Sequence, residues 1–149
     1  MKIGLFPGSF DPFTKGHEDI VNQALNLFDK ILIGISKNST KKNFLSIEKR
    51  IEKINLLYKK NSKISVHCYR GLTVDFCKKE NVNFLIRGIR NEIDFIYEKD
   101  ISNSNRELYN NVKTVFFISS PNYSHISSKI VREIINNNGD ISKFVSYSI

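Results

Sequence analysis

Four short segments of this 149-residue chain hold residue types that can bind and move phosphate groups. The first is Phe6-Pro7-Gly8-Ser9-Phe10-Asp11-Pro12-Phe13-Thr14-Lys15-Gly16-His17. Its early glycine lets backbone approach a ligand closely. His17 stands where a helix begins, and orphan N–H groups and the helix dipole there favour an anion. An isolated histidine would read as a capping residue. Gly8, Ser9, Thr14, Gly16 and His17 arriving together after an apolar run favour a ligand role. The second segment carries Lys37, Lys41 and Lys42, mobile point charges suited to phosphate. The third is Leu85-Ile86-Arg87-Gly88-Ile89-Arg90, followed by Asp94 and Glu98 at i,i+4 spacing. Two arginines flanking a glycine offer forked donors for a phosphate. The two acids serve equally well as internal partners for those arginines. The fourth is Ser124-His125-Ile126-Ser127-Ser128-Lys129-Ile130-Val131-Arg132, where serine hydroxyls and free N–H groups at a helix start suit a polyphosphate.

The elements that must position these segments alternate along the chain. Runs at Ile3–Phe6, Lys30–Ile35, Lys63–Cys68, Phe84–Ile86 and Lys113–Ser119 read as strands, the second near-continuous as inside a parallel sheet and the third with Ile64, Val66 and Cys68 alternating. Between them, helical spacing predicts helices over Gly16–Phe28, from Ser46 as N-cap through Ile47, Ile51, Ile54 and Tyr58, over Leu72–Lys79, and over Asn91–Leu108. A last helix runs from Ser127 as N-cap to about Asn136. Gly139 is the expected left-handed stop, and Ile141–Val145 a closing turn. The βαβαβαβαβα order predicts an α/β fold, one doubly wound five-stranded parallel sheet in a single domain over residues 1–149. Ligands of such sheets bind beyond the carboxyl ends of the strands, where the four segments fall.

Composition narrows the classes further. The net charge is +8, from 23 basic and 15 acidic side chains. This favours an anionic partner without choosing one. Cys68 and Cys77 suggest reduced thiols rather than a disulfide framework. His17, His67 and His125 lack metal-ligand spacing, and His67 reads as a structural strand residue. No stretch is long and apolar enough for a membrane span, which reads as a soluble cytoplasmic protein. A Walker A motif, a GxGxxG fingerprint and a GxSxG elbow are all missing.

Thr14-Lys15-Gly16-His17 and Ile126-Ser127-Ser128-Lys129-Ile130-Val131-Arg132 resemble the TxGH and ISSxxxR motifs of the nucleotidyltransferase superfamily. With the PGSFDP opening and Arg87-Gly88-Ile89-Arg90 ahead of Asp94-Phe95 and Tyr97-Glu98, the chain looks like the bacterial phosphopantetheine adenylyltransferases from Ile3 to about Val145. The resemblance implies a Rossmann-like nucleotidyltransferase fold. It also implies transfer of the adenylyl group of ATP to 4′-phosphopantetheine, giving dephospho-coenzyme A and pyrophosphate without a covalent intermediate. On the matching positions it implies His17 as transition-state stabiliser, with Lys41 and Arg90 beside it as catalytic residues. ATP would meet Ser9, Phe10, His17, Gly88, Ile89, Arg90, Glu98, Tyr123, Ser124, His125, Ile126, Ser127, Ser128 and Lys129. The acceptor would meet Ser9, Lys41, Thr73 and Arg87. Mg²⁺ accompanying ATP, inhibition by coenzyme A and a homohexamer complete the expectation, with neither nucleic acid nor membrane as a partner. Lys129 departs from the pattern, standing where many relatives have a small residue. The chain also stops soon after Phe144-Val145, where many relatives run on. That puts the expected departure in quaternary contacts rather than the active site. A nicotinamide mononucleotide adenylyltransferase is the nearest alternative, although such enzymes usually carry histidine at the place of Thr14. A basic nucleic-acid-binding module is the remote one.

Overall fold

The computed structural model describes residues 1–37 and 42–149. Five strands, β1 (Ile3–Gly8), β2 (Lys30–Ser36), β3 (Ile64–Tyr69), β4 (Phe84–Ile89) and β5 (Lys113–Ile118), form one sheet in the order β3-β2-β1-β4-β5. Every neighbouring pair is parallel. The expected doubly wound sheet is therefore present, and the strand order reverses between β1 and β4. That reversal opens the crevice in which such sheets hold ligands. The loop after β1 and the carboxyl end of β4 carry two of the four candidate segments.

Five helices connect the strands: α1 (Lys15–Ala24), α2 (Ile47–Tyr58), α3 (Thr73–Glu80), α4 (Glu92–Leu108) and α5 (Ser128–Asn136). The central strands β1 and β2 are buried along their lengths, as their unbroken apolar runs require. One cluster of core side chains, including Phe6, Phe13, Ile33, Ile54 and Ile86, lies on one side of the sheet. Leu5, Leu32, Val74, Cys77, Leu85 and Val112 belong to a second. Both expected serine caps are formed: Ser46 Oγ accepts from the Lys49 N–H and Ser127 Oγ from the Ile130 N–H. Each is typically worth ~1 kcal/mol.

Three expectations need correction. The fourth strand runs on to Ile89 rather than stopping at Ile86, because Arg87 and Gly88 still pair with Phe116 and Phe117 of β5, so both lie within β4 and not in a loop after it. The first helix ends at Ala24 rather than Phe28. Residues 25–27 continue as a turn that still buries Phe28 in the core, so the periodicity outran the helix. After α5 the left-handed residue is Asn138, with φ of 58°, and not Gly139. The Gly139 N–H instead donates to the Ile134 carbonyl at 2.8 Å. Gly139 is needed for space, because a Cβ there would stand 2.5 Å from Ile134 Cγ2.

Candidate active site

Two adjoining cavities open at the carboxyl ends of β1 and β4. The smaller, about 390 Å³, is lined by Ser9, His17, Gly88, Arg90, Ser128 and Lys129 among others. The larger, about 610 Å³, includes Lys37, Tyr69, Thr73 and Asn105 in its lining. Pro7, Gly8, Ser9, Arg87 and Glu98 border both, so these residues form the junction.

His17 is built into the start of α1. Thr14 is the N-cap, with its side chain accepting from the His17 N–H. In return the Thr14 N–H donates to His17 Nδ1 at 2.9 Å. A capping box ordinarily uses Glu or Gln at this third position; here imidazole does so. Because Nδ1 accepts from a backbone N–H, the neutral ring carries its proton on Nε2, leaving that nitrogen as a donor. The ring lies among Phe10, Phe13 and Phe6, with the first two centroids each 5.1 Å away. Burial lowers its pKa to about 3, with Arg87 and then Arg90 adding to the effect. His17 is thus a fixed, uncharged donor at neutral pH.

This shift has a consequence for stability. The unfolded imidazole takes up a proton below its ordinary value of 6.5, whereas the folded one stays neutral down to about 3. The unfolded state therefore binds more protons in this window, and stability falls as pH drops. The expected slope is ~1 kcal/mol per pH unit below about pH 6. Thermal unfolding from pH 7 to 4 should show this slope in the wild type, and a flatter curve in His17→Gln.

Arg87, within β4, and Arg90, just after it, both have acid partners. Arg87 makes a bidentate pair with Glu98, with Nε donating at 2.8 Å, and its Nη1 donates to the Pro7 carbonyl at 2.6 Å. Arg90 pairs with Asp94 through Nε at 3.0 Å, and its own N–H donates to the same carboxylate. The acids thus serve as internal partners and fix where the guanidiniums stand. Both arginines still line the smaller cavity, and Arg87 the larger as well.

At α5, Ser128 and Lys129 line the smaller cavity, as do Ser127 and Ile126. Ser128 Oγ donates to the Pro12 carbonyl at 2.8 Å, tying this helix start to the first loop. Tyr123, Ser124 and His125 line neither cavity. Tyr123 packs with the apolar cluster around Val131, Ser124 donates to the Pro121 carbonyl, and His125 stands edge-on to Phe144. Ile89 is buried in β4 beside Gly88 and also lines neither. Thr73 borders the larger cavity, its hydroxyl 2.9 Å from that of Tyr69. Lys37 lines the same cavity, and Lys42 is exposed. Lys41 lies outside the described residues. His67 pairs with the Ser65 hydroxyl away from both cavities, a structural residue as expected.

Several residues that hold the site were not among the sequence candidates. Asp11 is buried and accepts from the Phe44 and Leu45 N–H groups, each at 2.7 Å. Asp19 accepts from the N–H and hydroxyl of Ser120, holding the β5–α5 loop. Arg132 Nη1 donates to the Asp11 carbonyl, and the Tyr147 hydroxyl to that of Phe13. Asp19 gave a signal, an acid beside Ile20 on the buried stripe of α1. Tyr147 gave none, because its partner lies 134 positions away.

The cleft thus lies at the switch point of a parallel sheet, lined from the starts of α1 and α5 and holding a neutral imidazole. The family model described as "Cytidylyltransferase-like" matches residues 5–134. A bifunctional NMN adenylyltransferase/ADP ribose pyrophosphatase from Francisella tularensis shares the fold, with a TM-score of 0.75 at 17% identity. That likeness covers 98% of this chain and 45% of the other. Within this class the sequence is far closer to one group. It is 47% identical to the phosphopantetheine adenylyltransferase of Cytophaga hutchinsonii over 99% of both chains. It is 42% identical to that of Clostridium perfringens over all of this chain and 91% of the relative. The chain belongs to the phosphopantetheine adenylyltransferase family.

Proposed function

We propose that the protein transfers the adenylyl group of ATP to 4′-phosphopantetheine, releasing pyrophosphate and dephospho-coenzyme A in coenzyme A biosynthesis. The observation that carries this reading is the meeting of the two cavities at Ser9 and Arg87, with His17 on one side of the junction. ATP belongs in the smaller cavity, where Gly88, Arg90, Ser127, Ser128 and Lys129 offer donors for its phosphates. The acceptor arm belongs in the larger, past Thr73, with its phosphate at the junction near Arg87. Lys41 is assigned to that phosphate by family resemblance alone.

An acceptor phosphate oxygen attacks the α-phosphorus in line. A P–O bond forms to the acceptor as the bond to pyrophosphate breaks, and pyrophosphate leaves with that electron pair. The nucleophile is already anionic, so no general base is required. Alignment and charge neutralisation carry the rate. In this reading the His17 Nε2–H donates to the α-phosphate as negative charge builds. Being neutral already, it meets no ionisation of its own near pH 7. The substrate is read as ATP with Mg²⁺ on its phosphates, the usual way that ion is held. Among the described residues no cluster of three metal-ligating side chains is present. Asp94 and Glu98, the acids of the smaller cavity beside Asp11, are tied to arginines.

Assembly as a homohexamer, inhibition by coenzyme A and a cytoplasmic location belong to the same reading. Assembly is supported by Ile93, Ile96 and Tyr97, exposed at helical i, i+3, i+4 spacing on one face of α4, an apolar surface of the kind that subunits cover. Among the described residues no helix is long and apolar enough to cross a membrane. Calorimetry tests the substrate assignment. Both ATP and 4′-phosphopantetheine should bind one site per chain, and absence of 4′-phosphopantetheine binding would refute it.

A further inference from the structure

Arg50 lies on the buried stripe of α2, one turn before Ile54, and is only 2% exposed. A guanidinium this deep normally has a carboxylate beside it. Here no carboxylate oxygen of the described residues comes within 4.0 Å of it. Residues 38–41 are Asn-Ser-Thr-Lys and carry no carboxyl group. Arg50 Nη1 instead donates to the Ser9 carbonyl at 2.7 Å, and Nε reaches the Ser46 carbonyl at 3.4 Å. Its Nη2 has no acceptor among the described residues. A charge buried on neutral carbonyls is a poor device for stability, since apolar side chains of similar volume often serve the fold as well or better.

Its target explains it better. Ser9 is the side chain that borders both cavities from the first loop. The following residue, Phe10, is in the left-handed region with φ of 49°, an uncommon state for a bulky side chain. The peptide between them is planar, so fixing the Ser9 carbonyl on one side fixes the Phe10 N–H on the other. The neighbouring carbonyls are held in the same manner, Pro7 by Arg87, Asp11 by Arg132 and Pro12 by Ser128. We infer that Arg50 is a positioning residue, which acts through the Ser9–Phe10 peptide to align the two substrates where the cavities meet. This rests on the adenylyl-transfer reading.

The test is Arg50→Met in the full chain, with Arg50→Lys beside it. Arg50→Met should unfold at or above the wild-type temperature. Its kcat should fall about tenfold or more, because misplacement of a reacting group acts on the transition state. The KM values for ATP and 4′-phosphopantetheine should stay within about threefold, since Arg50 lines neither cavity. Arg50→Lys should recover part of kcat. Full activity of Arg50→Met overturns the inference, and so does a loss of activity that matches a loss of folded protein. A wild type with no transfer overturns the function and this inference together, whereas an active wild type beside an equally active Arg50→Met overturns the inference alone.

Discussion

His17→Ala is expected to lower turnover by about 10²–10³-fold, the usual effect of removing one donor that meets developing charge. The fold should survive. What the fold loses is the acceptor for the Thr14 N–H, worth ~1 kcal/mol, together with the ring's packing against Phe10 and Phe13. 4′-Phosphopantetheine binding should remain near normal, because His17 lines the smaller cavity and not the larger. His17→Gln separates the two duties. Glutamine at this position can accept from Thr14 as a capping-box residue does, so thermal stability should recover. Its amide does not reproduce the rigid Nε2–H, so turnover should stay low. Near-normal kcat in His17→Ala would remove the histidine from the chemistry.

Glu98→Gln should have the largest effect on stability. The Glu98 carboxylate is buried and accepts two hydrogen bonds from Arg87. The amide would place an N–H₂ group against a guanidinium donor. Removing one member of a buried ion pair typically costs ~3 kcal/mol or more. For a chain of this length that corresponds to a fall in Tm of roughly 10 °C. Arg87 would also lose the partner that directs it, and with it the hold on the Pro7 carbonyl at the junction. Activity should therefore fall together with stability. The double replacement Arg87→Met with Glu98→Leu distinguishes the two losses. An apolar pair of similar volume should recover stability but not activity. Thermal unfolding and turnover of the three proteins check this, and an unchanged Tm in Glu98→Gln would contradict the pairing.

The sheet was readable in the sequence because buried parallel strands are apolar along their length, as in Ile31 to Ile35. Helix starts were readable at Ser46 and Ser127, where a hydroxyl meets the first turn. Helix ends were not: Leu25 and Phe28 keep the apolar spacing beyond Ala24, while Asn26 and Leu27 between them have tightened to i→i−3 bonds. Asn138 took the left-handed place expected of Gly139, since asparagine tolerates that conformation and the glycine was needed for space against Ile134.

The site divides in the same way. His17, Arg87, Arg90, Ser9 and Ser128 stand out because unusual residue types follow apolar runs, and all of them line the smaller cavity. Their supports depend on contacts across long separations. Arg50 reaches Ser9 over 41 positions, Asp11 reaches Phe44 over 33, and Arg132 reaches Asp11 over 121. Local pattern carries no information about such pairs. A count of basic residues does not separate Arg50 from its neighbours Lys49 and Lys53 in α2, whereas its place one turn before Ile54 puts it in the core. Tyr123, Ser124 and His125 share a motif with Ser127 and Ser128, but the turn before α5 carries them away from the cavity lining.

Pyrophosphate release from ATP, measured with 4′-phosphopantetheine, nicotinamide mononucleotide and nicotinate mononucleotide as separate acceptors, tests the central claim most directly. The two-cavity site and its family predict release with 4′-phosphopantetheine alone. Release with either mononucleotide in its place, or none with 4′-phosphopantetheine, would contradict the account.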